Sequence, residues 1–289
     1  MRLEEEKTNL LNYNSSSQGS GKRWFGDYFY QSRSKTYTFD FPDIVTDSLA
    51  RIRGEFAGRS NVSQSVRFQV SGSTFSKSIA GVDTDNNDGP FAANAIVTGS
   101  FLPSGSPLQV VVNYPEVGSS SEGWLDYIEL NVRRKLTMSG NVLEFRDVKT
   151  INRPATQFRI SNVGSGLTIW DITTPQTPRK QLFTQTGNTA TFGVATQGVL
   201  RSFVAWNAAA SFPKPEFAAG KIANQNLHGL RGLDMVILYH PETEKAAERL
   251  AGHRRAFSGL SVAAVNVLQL FNEFSSGGKD PVAIRDFAR

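Results

Sequence analysis

The sequence that decides the fold of this chain is LDMVILY at residues 233–239. Such a mainly apolar run is typical of a strand that is buried on both faces of a parallel sheet. Pro241 follows it and suits the first turn of a helix. A second apolar run, LSVAAVNV at residues 260–267, comes after that helix. Strand, helix and strand in this order predict a parallel βαβ unit with a right-handed crossover.

The intervening helix carries its own end signals and an apolar stripe. Glu242 and Glu244 lie near its positive N-terminal end, and Arg254 and Arg255 lie near its negative end. Gly259 predicts the point at which the helix stops. The apolar residues fall on one helical face, which we expect to pack on the sheet. They are Ala246, Ala247, Leu250, Ala251 and Phe257.

After the second strand, the sequence predicts a loop over residues 270–281 and then another helix. Asp280 is its expected N-cap, and Pro281 its first helical residue. That helix has barely begun at Arg289, and a sheet of two parallel strands has faces and edges that need covering. We therefore expect the chain to be a fragment of a longer protein, ending inside an α/β domain.

Upstream of this unit, residues 24–217 predict short strands without intervening helices. Polar and apolar residues alternate in these segments, as in half-buried strands, and Gly, Pro, Asn and Asp separate them. The predicted strands are 35–41, 49–57, 65–70, 108–114, 124–136, 156–160, 167–172, 189–194 and 199–206. The pattern predicts one antiparallel β-sandwich of jelly-roll type.

The expected organisation is therefore a flexible polar N-terminal segment, a sandwich and an incomplete α/β part. Residues 1–23 contain the Asn-, Ser- and Gly-rich stretch typical of a flexible tail. Residues 24–217 are the sandwich domain. Residues 218–289 are the linker and the first βαβ portion of the next domain, with the linker placed at about 212–226 because of its two prolines.

Composition excludes several classes of site. The formal net charge is +5 and the basic residues are scattered, which argues against nucleic-acid binding. The sequence has no Cys, so it holds no disulfide, thiolate metal site or cysteine nucleophile. No stretch is long and apolar enough for a membrane span, and the charged start lacks the apolar core of an export signal.

Histidine and serine provide the few candidates for chemistry. His240 ends the first parallel strand, where α/β sheets place ligand sites, although a helix cap or a solvent-facing residue is the alternative interpretation. His228 lies in the linker and His253 on the charged helix, without a nucleophile beside them. Ser275 and Ser276 follow the second strand, but no histidine is adjacent to them in sequence.

Residues 83–89, DTDNNDG, resemble a calcium-binding loop only superficially. An EF-hand requires Gly where Asp88 stands and Glu where Asn94 stands. We interpret the segment as an Asx-rich turn and predict no cofactor, with an irregular structural Ca²⁺ site as the alternative. The four tryptophans are candidates for a sugar-stacking platform, but aromatic residues in strands more often belong to a core. They are Trp24, Trp124, Trp170 and Trp206.

Several runs resemble a known family. NQNLHGL at residues 224–230 and DMVILYHP at 234–241 resemble the opening of a gingipain-type cysteine peptidase domain of family C25. FNEFSSG at 271–277 and DPVAIRDF at 280–287 are similar to the family's next segment. WLDYIEL at 124–130 is similar to a motif before the peptidase domain in cell-surface sortases of the type IX secretion system of Bacteroidetes.

This resemblance implies a caspase-like fold with a His-Cys dyad at the ends of later parallel strands. No position here matches the dyad, so no catalytic residue is assigned and both residues are expected beyond Arg289. The implied parent is an endopeptidase and transpeptidase that removes C-terminal sorting signals from secreted cargo and attaches the cargo to the cell surface. Implied partners are the cargo, an outer-membrane β-barrel shuttle protein and anionic lipopolysaccharide as the acyl acceptor. The implied location is the cell surface, at the outer membrane.

Two other functions fit the same pattern. The sandwich would be a surface module that binds a glycan or a partner protein, with the βαβ unit as a spacer. Alternatively, the chain would belong to a small-molecule α/β enzyme with an unrelated β-domain. A downstream His and Cys, each after an apolar strand, would distinguish the peptidase from both.

Overall fold

The computed structural model describes residues 1–10, 23–86, 88–116, 121–216 and 224–289, in which strands precede helices. The first strands are β1 Arg2–Glu4, β2 Thr8–Asn9, β3 Trp24–Phe25, β4 Tyr28–Phe29, β5 Ser34–Phe39, β6 Ala50–Arg59, β7 Gln64–Val70, β8 Ser73–Ile79, β9 Ala93–Phe101, β10 Leu108–Asn113 and β11 Glu122–Asn131. The next are β12 Val142–Arg146, β13 Ala155–Ile160, β14 Leu167–Asp171, β15 Arg179–Lys180, β16 Thr184–Thr186, β17 Thr189–Ala195 and β18 Ser202–Asn207. The C-terminal elements are β19 Met235–Tyr239, α1 Glu244–Ser258, β20 Val262–Asn266, α2 Val267–Phe274 and α3 Pro281–Phe287, with 3₁₀ turns at Val148–Thr150, Leu227–Gly229 and Pro241–Thr243.

Two antiparallel sheets form the first sandwich. One has the order β1-β11-β6-β9, with β4 also on β11, and the other has the order β5-β10-β7-β8. In several strands alternate residues are buried between the sheets, as in β7, where Val66, Phe68 and Val70 face inward. This alternation is the period-2 pattern that predicted the strands.

Glycines in the first sheet make room for aromatic rings from the second. A methyl group at Gly54 would overlap the ring of Phe68, and one at Gly99 would overlap Phe75. Gly58 and Gly123 are direct cross-strand partners, and a methyl group on either would contact Tyr114. The rings therefore pack directly against the backbone of glycine residues, which brings the two sheets close together at these points.

Residues 24–217 do not form a single sandwich, because the second half of this segment has its own sheets and core. Its sheets have the orders β12-β18-β14-β15 and β13-β17-β16. Four phenylalanines pack at its centre, where the ring centroids of Phe192 and Phe203 are 5.0 Å apart. The other two are Phe145 and Phe158. Alternation shows which face of a strand is buried but not which strands share a core, so it predicted one sandwich where there are two.

The first ten residues are not simply a flexible tail. Arg2–Glu4 pairs with β11, and Thr8–Asn9 pairs with β3. Arg2 adds an ion pair with Glu129 at 2.6 Å and lies over the ring of Tyr127. The polar stretch on which the prediction of flexibility rested falls at residues 14–21, outside the described residues.

The C-terminal unit is the predicted parallel βαβ arrangement. Met235 pairs with Val262 and Tyr239 with Asn266, in parallel. Gly259 ends α1 with φ = 63°, and Asp280 caps α3 through Val282 N. Together with the strand-rich first part, this confirms the predicted order of a mostly β N-terminal region followed by the start of an α/β unit with parallel strands.

Two details of this unit differ from expectation. Residues 267–274 form helix α2, where the sequence predicted a strand end and a loop. The apolar stripe of α1 is only partly buried: Ala247 and Ala251 face the sheet, whereas Leu250 is 42% and Phe257 82% exposed. Among the described residues, no helix has the length and apolar character required to cross a membrane.

Candidate functional site

The carboxyl ends of the two parallel strands are the expected place for a site. His240 follows β19, and its Nδ1 lies 3.8 Å from Glu242 Oε2, with both side chains exposed. His240 occupies the N-cap position before Pro241 but makes no side-chain capping bond. Asn266, at the end of β20, accepts a hydrogen bond from Leu268 N at 2.9 Å and so caps α2. These side chains mainly begin helices, so they do not assemble a reactive centre.

Ser275 is not arranged as a nucleophile. Its Oγ lies within hydrogen-bonding distance of the backbone oxygens of Phe271 and Gly278, so its single proton is used within the turn after α2. The described residues give the Ser275 hydroxyl no histidine partner that would accept its proton. A serine hydroxyl that lacks a base and is bound to carbonyls is a weak nucleophile.

The polar cluster that sequence reasoning missed is centred on Glu273. Its carboxylate accepts hydrogen bonds from Leu227 N at 2.9 Å, Gln225 Nε2 at 2.8 Å and His228 Nδ1 at 2.8 Å. The bond from Leu227 N is the largest of the effects that lower the pKa of Glu273 to about 2. The ring of His228 stacks on Phe274 with centroids 4.3 Å apart.

This cluster joins the run 224–230 to the run 271–277, the two segments that carry the family resemblance. Glu273 and His228 are 45 residues apart in sequence. Nothing local in the sequence pairs them, so His228 was assigned only to a linker. Its role here is to dock that segment onto α2. His253 stacks on Phe257 on α1, with centroids 5.4 Å apart.

A second charged cluster lies in the first sandwich, on the motif at residues 124–130. Asp126 occupies the bulge in β11 and is buried, as is Glu55 on β6. Arg23 Nη2 lies 2.5 Å from Asp126 Oδ2 and 2.6 Å from Glu55 Oε1. Asn94 donates to Glu55 at 2.9 Å. Burial raises the pKa of Asp126 to about 6, because the surroundings disfavour its charged form.

The Asp-rich segment adopts turns that its own side chains stabilise. Asp83 Oδ1 accepts from Asp85 N at 3.1 Å, and Asn86 Oδ1 accepts from Asp88 N at 3.0 Å. Residue 87 falls outside the described residues. Elsewhere in the described part of the chain, no group of three or more His, Asp or Glu side chains is arranged to hold a metal ion.

The four tryptophans do not form one platform. Trp124 is buried in a cluster with Phe25 in the first sandwich. Trp170 and Trp206 lie together in the second sandwich, with ring centroids 5.2 Å apart and planes at 74°. Trp170 is 38% exposed, while its neighbour Ile169 is fully buried. This pair therefore lies on the outer face of its sheet.

Comparison with known proteins gives a family match for the C-terminal segment and a fold match for the chain. Residues 228–289 match the model of peptidase family C25. The whole chain superposes on the crystal structure of dimeric latent PorU from Porphyromonas gingivalis, with a TM-score of 0.69 and 24% sequence identity. The match covers 100% of this chain and 27% of that PorU chain.

The resemblance to family C25 in the C-terminal segment is thereby confirmed, and the chain has the fold of the corresponding part of PorU. A carbohydrate-binding module, CBM36 in complex with calcium and xylotriose, also aligns, at 13% identity over 45% of this chain and 99% of that module. Its TM-score of 0.25 is too low to indicate a shared fold. No curated protein matches the chain.

Proposed function

We propose that the chain is the N-terminal part of a sortase of the type IX secretion system, whose parent protein is a gingipain-type cysteine peptidase. The observation that carries this proposal is the combination of a PorU-like fold over the whole chain with a C25 segment at residues 228–289. Glu273 holds together the two runs that resemble the family, which supports the interpretation that they form one structural unit of the parent domain.

In the proposed parent, the catalytic cysteine and histidine follow Arg289. The thiolate attacks the carbonyl carbon of the peptide bond before the sorting signal, and histidine protonates the departing amine. The cargo is then held as a thioester. An amine of anionic lipopolysaccharide, or water, attacks that thioester and releases the thiolate.

The chain described here has a supporting role in this proposal. It has no Cys, and neither His240 nor Ser275 is arranged with a partner for acyl transfer. Its partners would be secreted cargo and the outer-membrane shuttle protein, and its location the cell surface. The sandwiches would position the peptidase domain relative to them.

A cleavage assay on two proteins tests the proposal: this chain and the longer protein that continues beyond Arg289. The substrate is a reporter that carries a type IX C-terminal sorting signal. The longer protein should cleave it and lose activity when its nucleophilic cysteine is replaced by alanine. The 289-residue chain should not cleave it. Turnover by the shorter chain that disappears in Ser275→Ala or His240→Ala would overturn the proposal.

The alternative function is a surface binding module without enzymatic activity, and the Trp170–Trp206 pair favours it. The two rings lie on the outer face of their sheet, where polar residues are usual. An aromatic pair in such a position can stack on sugar rings. Binding of a neutral polysaccharide that is lost in Trp170→Ala, together with the absence of downstream His and Cys, would favour this function over the peptidase.

A further inference from the structure

Three polar side chains close one end of the first sandwich. Arg33 precedes β5, Tyr114 follows β10 and Gln64 begins β7, on three neighbouring strands. Tyr114 N donates to Arg33 O at 2.9 Å, so these two residues are direct cross-strand partners. Tyr114 and Gln64 are almost fully buried. We call Arg33, Gln64 and Tyr114 the polar end.

The facing sheet presents small residues to the polar end. A methyl group at Gly58 would lie 2.8 Å from Tyr114 Oη, and one at Gly123 would lie 2.9 Å from the Tyr114 ring. Ser60 and Ser121 continue the same two strands and are also buried. The polar side chains therefore occupy the space between the sheets rather than an outer face.

Most of the polar atoms at this end lack a partner. Arg33 Nε, both amide atoms of Gln64 and Tyr114 Oη are buried without a hydrogen bond among the described residues. Elsewhere in the described chain, the Oε1 atom of Gln225 is also buried without a hydrogen bond, but it has no comparable group of unbonded polar atoms around it. Buried groups of this kind are costly and rarely retained unless something binds them.

Arg33 connects this buried cluster to the surface. Its Nη1 donates to Ser121 O at 2.7 Å, and its guanidinium lies 5.4 Å from the ring centre of Tyr30. Tyr30 stacks with Tyr28 at 6.0 Å, and both rings are more than 40% exposed. The Nη2 of Arg33 lies only at the 4.0 Å limit from the exposed carboxylate of Glu116.

The unpaired atoms favour a ligand that accepts hydrogen bonds. Arg33 Nε, Tyr114 Oη and Gln64 Nε2 are donors, and Gln64 Oε1 is an acceptor. Burial raises the pKa of Tyr114, so its hydroxyl keeps its proton at neutral pH. A planar guanidinium beside other donors matches the geometry of a carboxylate.

We propose that the polar end binds a carboxylate-bearing ligand, with the carboxylate on Arg33, Tyr114 and Gln64 and the adjoining part of the ligand against Tyr30. The carboxylate would belong to a peptide or to an acidic sugar, because a peptide plane and a sugar ring both stack on tyrosine. Glu116 competes for Arg33 and must move aside when the ligand binds.

Calorimetric titration of the full chain tests this site with two pairs of probes. Benzoylglycine is compared with its neutral amide, and glucuronate with glucose. At least one carboxylate should bind and its neutral counterpart should not. Tyr114→Phe should weaken binding about tenfold, and Arg33→Gln at least as much, because each removes a donor to an ionised oxygen. Tyr239→Phe, in the C-terminal unit, is the matched control and should change nothing.

Glu116→Gln provides a second test at an exposed position that does not threaten folding, and it should tighten binding. Preference for benzoylglycine would identify a peptide carboxylate, and preference for glucuronate an acidic sugar. If no carboxylate binds, the buried atoms are satisfied by water alone and the proposal is wrong. Binding that is unchanged in Tyr114→Phe and Arg33→Gln would also overturn it, because the ligand would then lie elsewhere.

Discussion

Phe68 occupies the space that a side chain on Gly54 would fill. The two residues lie on opposite sheets of the first sandwich, and the ring rests on the backbone of β6. Gly99 and Phe75 repeat the arrangement. The distance between these sheets is therefore set by glycine on one side and an aromatic ring on the other.

We expect Gly54→Ala to destabilise the first sandwich by about 1–3 kcal/mol, because the new methyl group forces the Phe68 ring out of its position. Gly193→Ala is the control: Gly193 also lies within a strand, but a methyl group there meets nothing within 4 Å. It should be neutral or slightly stabilising. The denaturant midpoint of each variant measures its change in stability. Hydrogen exchange of β6 for Gly54→Ala, and of β17 for Gly193→Ala, shows whether the change lies at the substituted strand. Equal effects of the two substitutions would show that ring packing is not the cause.

The raised pKa of Asp126 predicts a pH dependence of the first sandwich. Its pKa is about 6 in the folded protein and about 3.9 when unfolded, so the native state binds more protons between these values. The contribution of Asp126 to stability therefore increases as pH falls from about 7 to about 4, and is lost as pH rises through about 6.

Asp126→Asn should flatten this part of the stability profile, measured by hydrogen exchange of β6 and β11 between about pH 4 and 7. Asp43→Asn in the same sandwich is the control, since Asp43 is exposed and asparagine tolerates its positive φ of 58°. If stability depends on pH in Asp126→Asn as steeply as in the wild type, another titrating group causes that dependence.

Glu273→Gln should release residues 225–229 from α2, because a neutral amide cannot replace the carboxylate towards Leu227 N, Gln225 and His228 at once. The pKa of about 2 lies below the unfolded value of about 4.3, so this contact is complete above about pH 4.3 and is lost as pH falls towards 2. Amide exchange at Leu227 and His228 should rise in the variant and stay protected in the wild type near pH 4.

Glu242→Gln is the matched control, since the side chain of Glu242 is 86% exposed and its ion-pair partner within the described part of the chain is His240 at 3.8 Å. It should leave the exchange of residues 225–229 unchanged. Slow exchange that persists in Glu273→Gln would show that apolar packing, such as His228 on Phe274, holds the segment without the carboxylate.

The segment at residues 83–89 should bind Ca²⁺ only weakly, because the Asp83 carboxylate and the Asn86 amide oxygen accept hydrogen bonds within local turns, and because the ligand spacing of an EF-hand is broken. Calorimetric titration with Ca²⁺ measures this. Micromolar binding that is abolished by Asp85→Ala would establish the irregular site instead.

The sequence predicted many of the strands from the alternation of polar and apolar residues. All nine segments predicted between residues 35 and 206 are strands, with ends that shift by a few residues. It missed β8, β9 and β12, and also the strands of two or three residues, which are β1 to β4, β15 and β16. In β8, STFSKSI, the polar residues interrupt the pattern because much of the strand is exposed. The helix end at Gly259 and the helix start at Asp280 were predicted correctly, because a cap depends on residues that are close in sequence.

Properties that depend on distant residues could not be predicted. The pairing of Glu273 with His228, and of Asp126 with Arg23, joins positions 45 and 103 residues apart. The division into two cores also depends on which strands pair. Leu250 and Phe257 were expected to be buried because periodicity identifies an apolar face but not what covers it. Helix α2 was missed because it begins at Val267, directly after β20 ends at Asn266, and no loop separates the two elements.

The presence of two cores also determines how the chain loses its structure. Phe68 and its neighbours form one core and Phe145 and its neighbours another, and few polar contacts join the sandwiches, such as Arg133 with Asp147 at 2.6 Å and Lys149 with Ser48 at 3.3 Å. Contacts of this kind couple two units only weakly. The sandwiches should therefore melt as separate cooperative units, and calorimetry should resolve more than one transition.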